Sequence, residues 1–191
     1  MKRSPILLLI IIGVGTALFV LLGSVLTVPS PVPGVSLPFP YALLSFLAIL
    51  YGPVTGLAVG VLGRLLTDLI RGAGLWWSWI VASGAFGLLM ALAGRRFRFC
   101  RRPFGLNDAA AFILCAVACH LICWAVLTPI LDAVLYGAPY GQMLLQGLVN
   151  AALNAFVTAV ASTLLCFFCS AFRRRKARQK RSRPVAAGKP E

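Results

Sequence analysis

Residues 40–79 of the chain read PYALLSFLAILYGPVTGLAVGVLGRLLTDLIRGAGLWWSW. Gly52 and Pro53 separate two apolar runs in this stretch. They predict a tight turn between two helices, because proline suits the first turn of a helix and disfavours helix in the residue before it. The second run carries only two charged residues, Arg64 and Asp68. Since a membrane helix needs about 20 mostly apolar residues, the stretch predicts helices that lie in a bilayer.

The composition of the whole chain indicates a membrane protein. Of its 191 residues, 60% are hydrophobic and 12% are charged, whereas soluble domains average about 45–50% apolar and about 25% charged residues. The chain has 18 Lys and Arg against four Asp and Glu, a formal net charge of +14. These proportions exclude a soluble enzyme.

Six apolar runs follow one another along the chain, and each is predicted to be a transmembrane helix. The fold class is therefore an all-α integral membrane protein with six transmembrane helices. We predict a transmembrane domain over residues 1–172 and a basic, disordered cytoplasmic tail over residues 173–191. The runs cover residues 5–28, 41–51, 53–70, 77–93, 109–135 and 143–172.

Most basic residues fall in three clusters: residues 2–3, 95–102 and 173–189. With six spans, all three clusters lie on one side of the membrane, whereas five spans would leave one cluster on the other side. Since Lys and Arg beside a span are retained in the cytoplasm, both termini are predicted to be cytoplasmic in a multi-pass protein of the cell membrane. No aromatic residues alternate with the basic tail, so no nucleic-acid partner is predicted.

Charged side chains within a span are costly unless they are paired or face a wet cavity. Arg64 and Asp68 are spaced i,i+4, which places them on one face of the third helix. Two interpretations stay open for this pair. It is either a structural ion pair or a charged contact for a polar ligand that enters from outside.

Polar residues recur at every fourth position of the sixth helix. A period of four keeps them in a slowly drifting stripe, which is either helix–helix hydrogen bonding, worth about 0.6 kcal/mol per contact, or the wall of a binding cavity. The outer members are the cavity candidates, and Thr158 and Ser162 are assigned to packing. The stripe consists of Gln142, Gln146, Asn150, Asn154, Thr158 and Ser162.

Three tryptophans, Trp76, Trp77 and Trp79, stand at the start of the fourth helix. They either form an interfacial belt at headgroup depth or place a ring over a flat heterocyclic ligand. These observations together predict one substrate-binding site. It comprises Arg64, Asp68, Trp76, Trp77, Gln146, Asn150 and Asn154.

The fifth helix carries Cys115, Cys119 and Cys123 on one face beside His120. This spacing superficially resembles a soft-metal site. Free cysteine is a common buried residue, however, so we assign the three to packing and predict no metal and no cofactor. The sequence contains no phosphate-binding loop, no H-E-x-x-H pair and no G-x-S-x-G elbow, so no enzyme is predicted.

Residues 40–79 carry a likeness to a known family. They resemble the substrate-binding S components of energy-coupling-factor (ECF) transporters, and more narrowly the uncharacterised branch grouped with riboflavin-type S components. The likeness extends from the first helix to about Phe172. Its residues are Tyr41-Ala42, Leu50-Tyr51-Gly52-Pro53, Gly56, Gly60, Gly63, Asp68, Trp76-Trp77-Ser78-Trp79, Trp124, Pro129, Leu131-Asp132, Asn150 and Asn154.

The resemblance implies a subunit that captures a vitamin or related micronutrient from outside, under the loop between its first two helices. It also implies partners: a transmembrane coupling subunit and two cytoplasmic ATPases. The family's small-x-x-x-small motif, which docks the coupling subunit, maps onto Gly13 and Ala17. Metal-type S components use a histidine near the N-terminus, whereas the single histidine here is His120, so metal transport is disfavoured.

The substrate stays open between two classes. A heterocycle such as a flavin or a cofactor precursor fits the tryptophans and is favoured, whereas an amino-acid-like zwitterion would fit Arg64 and Asp68. The alternative function is a structural membrane adaptor that binds no small molecule, in which the polar stripe of the sixth helix serves only to join helices.

Overall fold

A computed structural model describes residues 4–25, 39–72, 74–97 and 104–182. Six helices make up the regular structure of these ranges. The first four are α1 (Pro5–Ser24), α2 (Phe39–Tyr51), α3 (Pro53–Arg71) and α4 (Trp77–Phe97). Helix α5 covers Leu106–Tyr136, and α6 runs without a break through Tyr140–Val157, Thr158–Ser162 and Thr163–Ser182.

Helix lengths agree with the predicted fold class, which is confirmed. Helices α1, α3, α4, α5 and α6 are long and apolar enough to cross a membrane. Helix α2 has 13 residues, about 20 Å, and is shorter than the ~30 Å hydrocarbon core. Most of the loop between the first two helices, and residues 98–102 of the basic cluster 95–102, lie outside the described residues.

Several helices extend beyond the apolar runs from which they were predicted. Helix α5 begins at Leu106 and α6 at Tyr140, because end turns take polar residues that a count of apolar positions misses. Helix α6 also continues past Phe172 to Ser182. The basic segment therefore begins as helix, and the disorder that we expected from residue 173 onward is wrong for residues 173–182.

The helices run alternately up and down. Helices α1, α3 and α5 end, and α2, α4 and α6 begin, at one end of the bundle, which we call the upper end. Contacts there include the main-chain N–H of Trp77 with the hydroxyl of Tyr136. At the opposite end, α2 and α3 join at Gly52, whose φ of 102° lies in the region that favours glycine. The predicted turn is thus present.

Helices α3 and α4 pack against each other through glycines. A Cβ added to Gly56 would collide with the main-chain carbonyl of Gly87, and one added to Gly60 would collide with that of Ser83. Small residues allow backbones to approach closely where lipid provides no hydrophobic drive between helices. We call this contact the glycine seam; it occupies the lower and middle part of the two helices.

Helices α5 and α6 each contain a π-helical segment. These segments cover Leu121–Leu127 in α5 and Thr158–Ser162 in α6. A π-helical turn is wider than an α-helical turn and occurs frequently at functional sites. The two segments approach each other in the interior, where His120 Nε2 lies 3.0 Å from Thr158 Oγ1.

Candidate ligand-binding site

An ion pair lies in the upper half of α3, one and two turns above the glycine seam. Arg64 Nε donates to Asp68 Oδ2 at 3.1 Å, and Arg64 Nη2 lies 3.0 Å from Asp68 Oδ1. The Asp68 side chain is 4% exposed and the Arg64 side chain 24%. The pair therefore neutralises a buried carboxylate while it leaves part of the guanidinium accessible.

Aromatic rings surround the Arg64 side of this pair. The Arg64 guanidinium lies 5.0 Å from the ring centroid of Trp79, a cation–π distance. Trp79 packs on Trp124 with ring centroids 5.2 Å apart, and Trp124 contacts Tyr41 at 5.1 Å. We call this group the interior cluster. Its members are Tyr41, Arg64, Asp68, Trp79, Ser83 and Trp124.

Tyr41 connects the interior cluster to the first two helices. Its hydroxyl lies 3.0 Å from Ser83 Oγ, and its ring meets Phe19 of α1 edge-on at 5.6 Å. Phe19 in turn fills the space beside Gly63, where a Cβ would collide with its ring. Side chains from α1 to α5 thus converge on one buried region of the upper half.

Trp76 and Trp77, which were predicted in the site, have other partners in the structure. Trp76 Nε1 donates to Asp132 Oδ1 at 2.8 Å, and Ser78 Oγ donates to the same oxygen. The ring of Trp76 packs on Tyr136 at 5.0 Å. These contacts tie the start of α4 to the end of α5, and we call them the α4–α5 clasp. Both tryptophans are about half exposed, at 43% and 52%.

The polar stripe of α6 turns from the surface into the interior. Gln146 is exposed, and its main-chain carbonyl accepts a hydrogen bond from Asn150 Nδ2 at 3.0 Å. Asn154 is buried, and its Oδ1 has no hydrogen-bond partner among the described residues. The rotation follows from helix geometry, because each step of four residues advances about 40° around the axis.

The lower members of the stripe join helices. Thr158 is bonded to His120 of α5, as described above, and Ser162 Oγ lies 2.8 Å from Ser45 Oγ and donates to the Ala42 carbonyl at 2.8 Å. These contacts fit the helix–helix hydrogen-bonding interpretation for this part of the stripe.

Residues that the sequence had not marked as ligand contacts form most of the interior cluster. They are Tyr41, Ser83 and Trp124, together with Trp79, which was one of the three candidate tryptophans but was left out of the predicted site. One signal in the sequence could have pointed to Trp79: the series Gly56, Gly60, Arg64 and Asp68 repeats every four residues, so it lies on one face of α3. Glycines indicate where a neighbouring helix packs closely against α3. That helix, which is α4, must then also pass Arg64, one turn above Gly60, and Trp79 is the α4 residue that lies there.

The surface of α1 carries the predicted docking motif. Gly13 and Ala17 are exposed, and a Cβ on Gly13 would meet nothing within 4 Å. Gly15, between them, faces inward, where its Cβ would contact Leu47 and Val59. The motif thus lies on a face of α1 that the described part of the chain leaves uncovered.

The cysteines in the described ranges are free. Cys119 and Cys123 are buried, and Cys115 is partly exposed. Within residues 4–25, 39–72, 74–97 and 104–182, no group of three or more His, Cys, Asp or Glu could hold a metal ion.

A model of the family described as ECF-type riboflavin transporter, S component, matches residues 5–170. The chain belongs to this family. The resemblance seen in residues 40–79 is therefore confirmed, and the family is one of multi-pass transport subunits rather than of enzymes.

Individual relatives of this S-component family member come from Streptococcus pneumoniae. The chain is 43% identical over 103 residues to the UPF0397 protein of strain Hungary19A-6, a match that covers 54% of this chain and 56% of the relative. It is 42% identical over 103 residues to the UPF0397 proteins of strains CGSP14 and Taiwan19F-14, with the same coverage. The chain thus spans about half the length of the curated relatives that it matches.

Proposed function

We propose that this chain is the substrate-capturing membrane subunit of an ECF-type importer for a vitamin or related micronutrient. In this proposal it lies in the bacterial plasma membrane with both termini in the cytoplasm and the upper end outside. Separate ATPase and coupling subunits supply the energy. The observation that carries the proposal is the interior cluster, where Arg64 meets both Asp68 and Trp79, because a charged group within a membrane span marks a functional site by default.

The chemistry of the cluster favours a flat heterocycle with carbonyl and N–H groups. Two nitrogens of Arg64 bond Asp68, but a guanidinium has five N–H donors, so others can serve a ligand carbonyl. Trp79 offers an aromatic face beside them. The Oδ1 atom of Asn154 is a buried acceptor without a partner among the described residues, which a ligand N–H could satisfy. Because Arg64 and Asp68 neutralise each other, a neutral ring such as a flavin or a cofactor precursor suits the site.

The remaining residues of the predicted site lie at its entrance. Trp76 and Trp77 lie partly exposed at the upper end, as do the α6 residues Gln146 and Asn150. We propose that they line the approach of the ligand, whereas Arg64, Asp68 and Asn154 hold it.

The experiment that tests capture is release of the bound molecule. The protein is purified in mild detergent and denatured, and the released small molecules are identified by mass spectrometry. We expect a stoichiometric vitamin or precursor from the wild type and none from Asn150→Leu/Asn154→Leu, which should still fold. Val160→Leu, at an exposed position of the same helix, is the control and should keep the ligand. Normal ligand content in the double variant would remove both asparagines from the site.

The exposed Gly13 and Ala17 support a docking face for the coupling subunit on α1. Gly13→Leu/Ala17→Leu should prevent co-purification with the coupling and ATPase subunits but leave ligand content unchanged, because bulk there blocks close helix approach. Ile10→Leu, a conservative change at another exposed position of α1, is the control. Intact complexes with the leucine variant would place the docking face elsewhere.

A structural membrane adaptor is the second candidate, and the hydrogen bonds of Thr158 and Ser162 favour it. In this alternative the stripe of α6 only joins helices, so Asn150→Leu/Asn154→Leu should disturb folding or assembly. The wild type should then release no small molecule, even after growth in rich medium, and a thermal-shift screen of micronutrients should give no hit.

A further inference from the structure

His120 of α5 is fully buried where this helix packs against α4 and α6, next to the interior cluster. Its Nδ1 accepts a hydrogen bond from Trp124 Nε1 at 3.1 Å. An indole N–H only donates, so Nδ1 carries no proton, and in a neutral imidazole the proton then lies on Nε2. The Nε2–H group therefore donates to Thr158 Oγ1, 3.0 Å away.

The imidazole ring is held from its faces and edges as well. Phe86 stacks on it with ring centroids 4.1 Å apart and an angle of 20° between the planes. Tyr41 meets it edge-on at 6.3 Å. With two hydrogen bonds and two aromatic neighbours, His120 has one orientation, and it presents a fixed acceptor to Trp124.

Both π-helical segments begin at this contact. The segment of α5 starts at the residue after His120 and contains Trp124, and the segment of α6 starts with Thr158. The local widening of both helices thus coincides with the Thr158–His120–Trp124 chain of hydrogen bonds. Ser162, the last residue of the second segment, bonds the carbonyl of Ala42, next to Tyr41.

We infer that His120 is a positioning residue of the ligand site: it fixes the indole of Trp124, and this indole supports the ring of Trp79. Trp124 is 1% exposed and packs on Trp79 at 5.2 Å, so its orientation sets the position of the ring beside Arg64. The inference rests on the proposed function, in which Trp79 faces the ligand.

The first test needs no ligand. Fluorine NMR of protein labelled with 5-fluorotryptophan gives one signal for each of the four tryptophans, and single Trp→Phe variants assign them. His120→Leu removes the acceptor and should shift or broaden the signals of Trp124 and Trp79. The signals of Trp76 and Trp77 should stay unchanged and serve as the internal control, because Trp76 belongs to the α4–α5 clasp and Trp77 contacts Tyr136 beside it.

Thr158→Val gives a second variant with little loss of volume, in case His120→Leu does not fold. It removes the far hydrogen bond of His120 but keeps the bond to Trp124, so the same two signals should move by less. Equal changes of all four signals would assign His120 to general stability, and an unchanged Trp79 signal would show that it does not act on the site. Either result overturns the inference.

The second test uses riboflavin as the probe, with quenching of its fluorescence as the measure of binding. We expect His120→Leu to weaken binding at least tenfold and to add nothing in a Trp124→Phe background, because its effect passes through that indole. Additive losses would contradict this route. If the wild type does not bind riboflavin, the flavin as proposed substrate fails, whereas the fluorine signals still decide the role of His120.

Discussion

The lower and upper halves of one face of α3 are built in opposite ways. Going up this face in steps of four, the residues are Gly56, Gly60, Arg64 and Asp68. Below, the glycines bring the α3 and α4 backbones together, and above, large charged and aromatic side chains fill the same interface. The contacts along it are Gly56 with Gly87, Gly60 with Ser83, and Arg64 with Trp79.

This difference shows how a site is built where the hydrophobic effect is weak. The glycine seam fixes the register of α3 against α4, because backbone meets backbone and no side chain can adjust. That register brings Arg64 and Trp79 together at the point where the seam ends. The seam is therefore the structural condition for the interior cluster, to which we assign ligand binding in our proposal.

The largest effect should come from adding one carbon to the seam. In Gly56→Ala the new Cβ collides with the Gly87 carbonyl, and two backbones must separate. We expect a loss of stability at or above the upper end of the about 1–3 kcal/mol typical of overpacking, measured as thermal unfolding in detergent. Gly141→Ala, where the Cβ would meet nothing within 4 Å, is the control. An unchanged melting temperature in Gly56→Ala would show that the seam does not hold the two helices.

The second prediction tests how much the ion pair of Arg64 and Asp68, in the upper half of α3, contributes to stability. Asp68→Leu alone leaves Arg64 without its partner and should cost about 1–3 kcal/mol, less than a fully buried pair because Arg64 is partly exposed. Arg64→Met/Asp68→Leu removes both charges and should recover most of that stability in the same thermal assay. If the double variant is as unstable as the single one, the ion pair serves folding rather than a ligand.

A third prediction compares two tryptophans near the same end of α4. Trp79→Leu removes the aromatic face on which the ligand would stack and should weaken ligand binding about tenfold, since aromatic stacking is worth about 0.5–1.5 kcal/mol beyond the area that it buries. Trp76→Phe removes the hydrogen bond to Asp132 and should lower stability by about 1–3 kcal/mol but change affinity less than Trp79→Leu. The ligand content of purified protein and its melting temperature measure the two quantities. The opposite ranking of affinities would place the ligand at the α4–α5 clasp.

The smallest effect should come from the exposed end of the α6 stripe. Gln146→Leu changes a side chain that lies at the surface, so stability should change by no more than about 0.5 kcal/mol. Ligand content should fall less than in Asn154→Leu, which removes a buried acceptor. Equal losses of ligand content in the two variants would show that the whole stripe contacts the ligand, whether a residue lies at the surface or in the interior.

The fold was predictable because run lengths and the Gly52-Pro53 turn are local signals. The pairing of Arg64 with Asp68 was also predictable, since an i,i+4 spacing places both on one face. The partner of Trp76 was not, because Asp132 is distant in sequence. The contact of Trp79 with Arg64 depends on the register of two helices.

The rotation of the α6 stripe shows a different limit. Its drift of about 40° per step follows from helix geometry, but the inward side is set by neighbouring helices, so Gln146 and Asn154 could not be told apart from the sequence. The π-helical segments beside His120 and Thr158 have no pattern in the sequence by which they could have been recognised.

The most direct measurement of the central claim is the small-molecule content of two purified proteins, wild type and Arg64→Met/Asp68→Leu. Both should fold, since the double variant leaves no charge uncompensated. We predict that the wild type releases a stoichiometric micronutrient on denaturation and that the folded double variant releases none. The same molecule in equal amount from both proteins would contradict the assignment of the upper half of α3 to ligand binding.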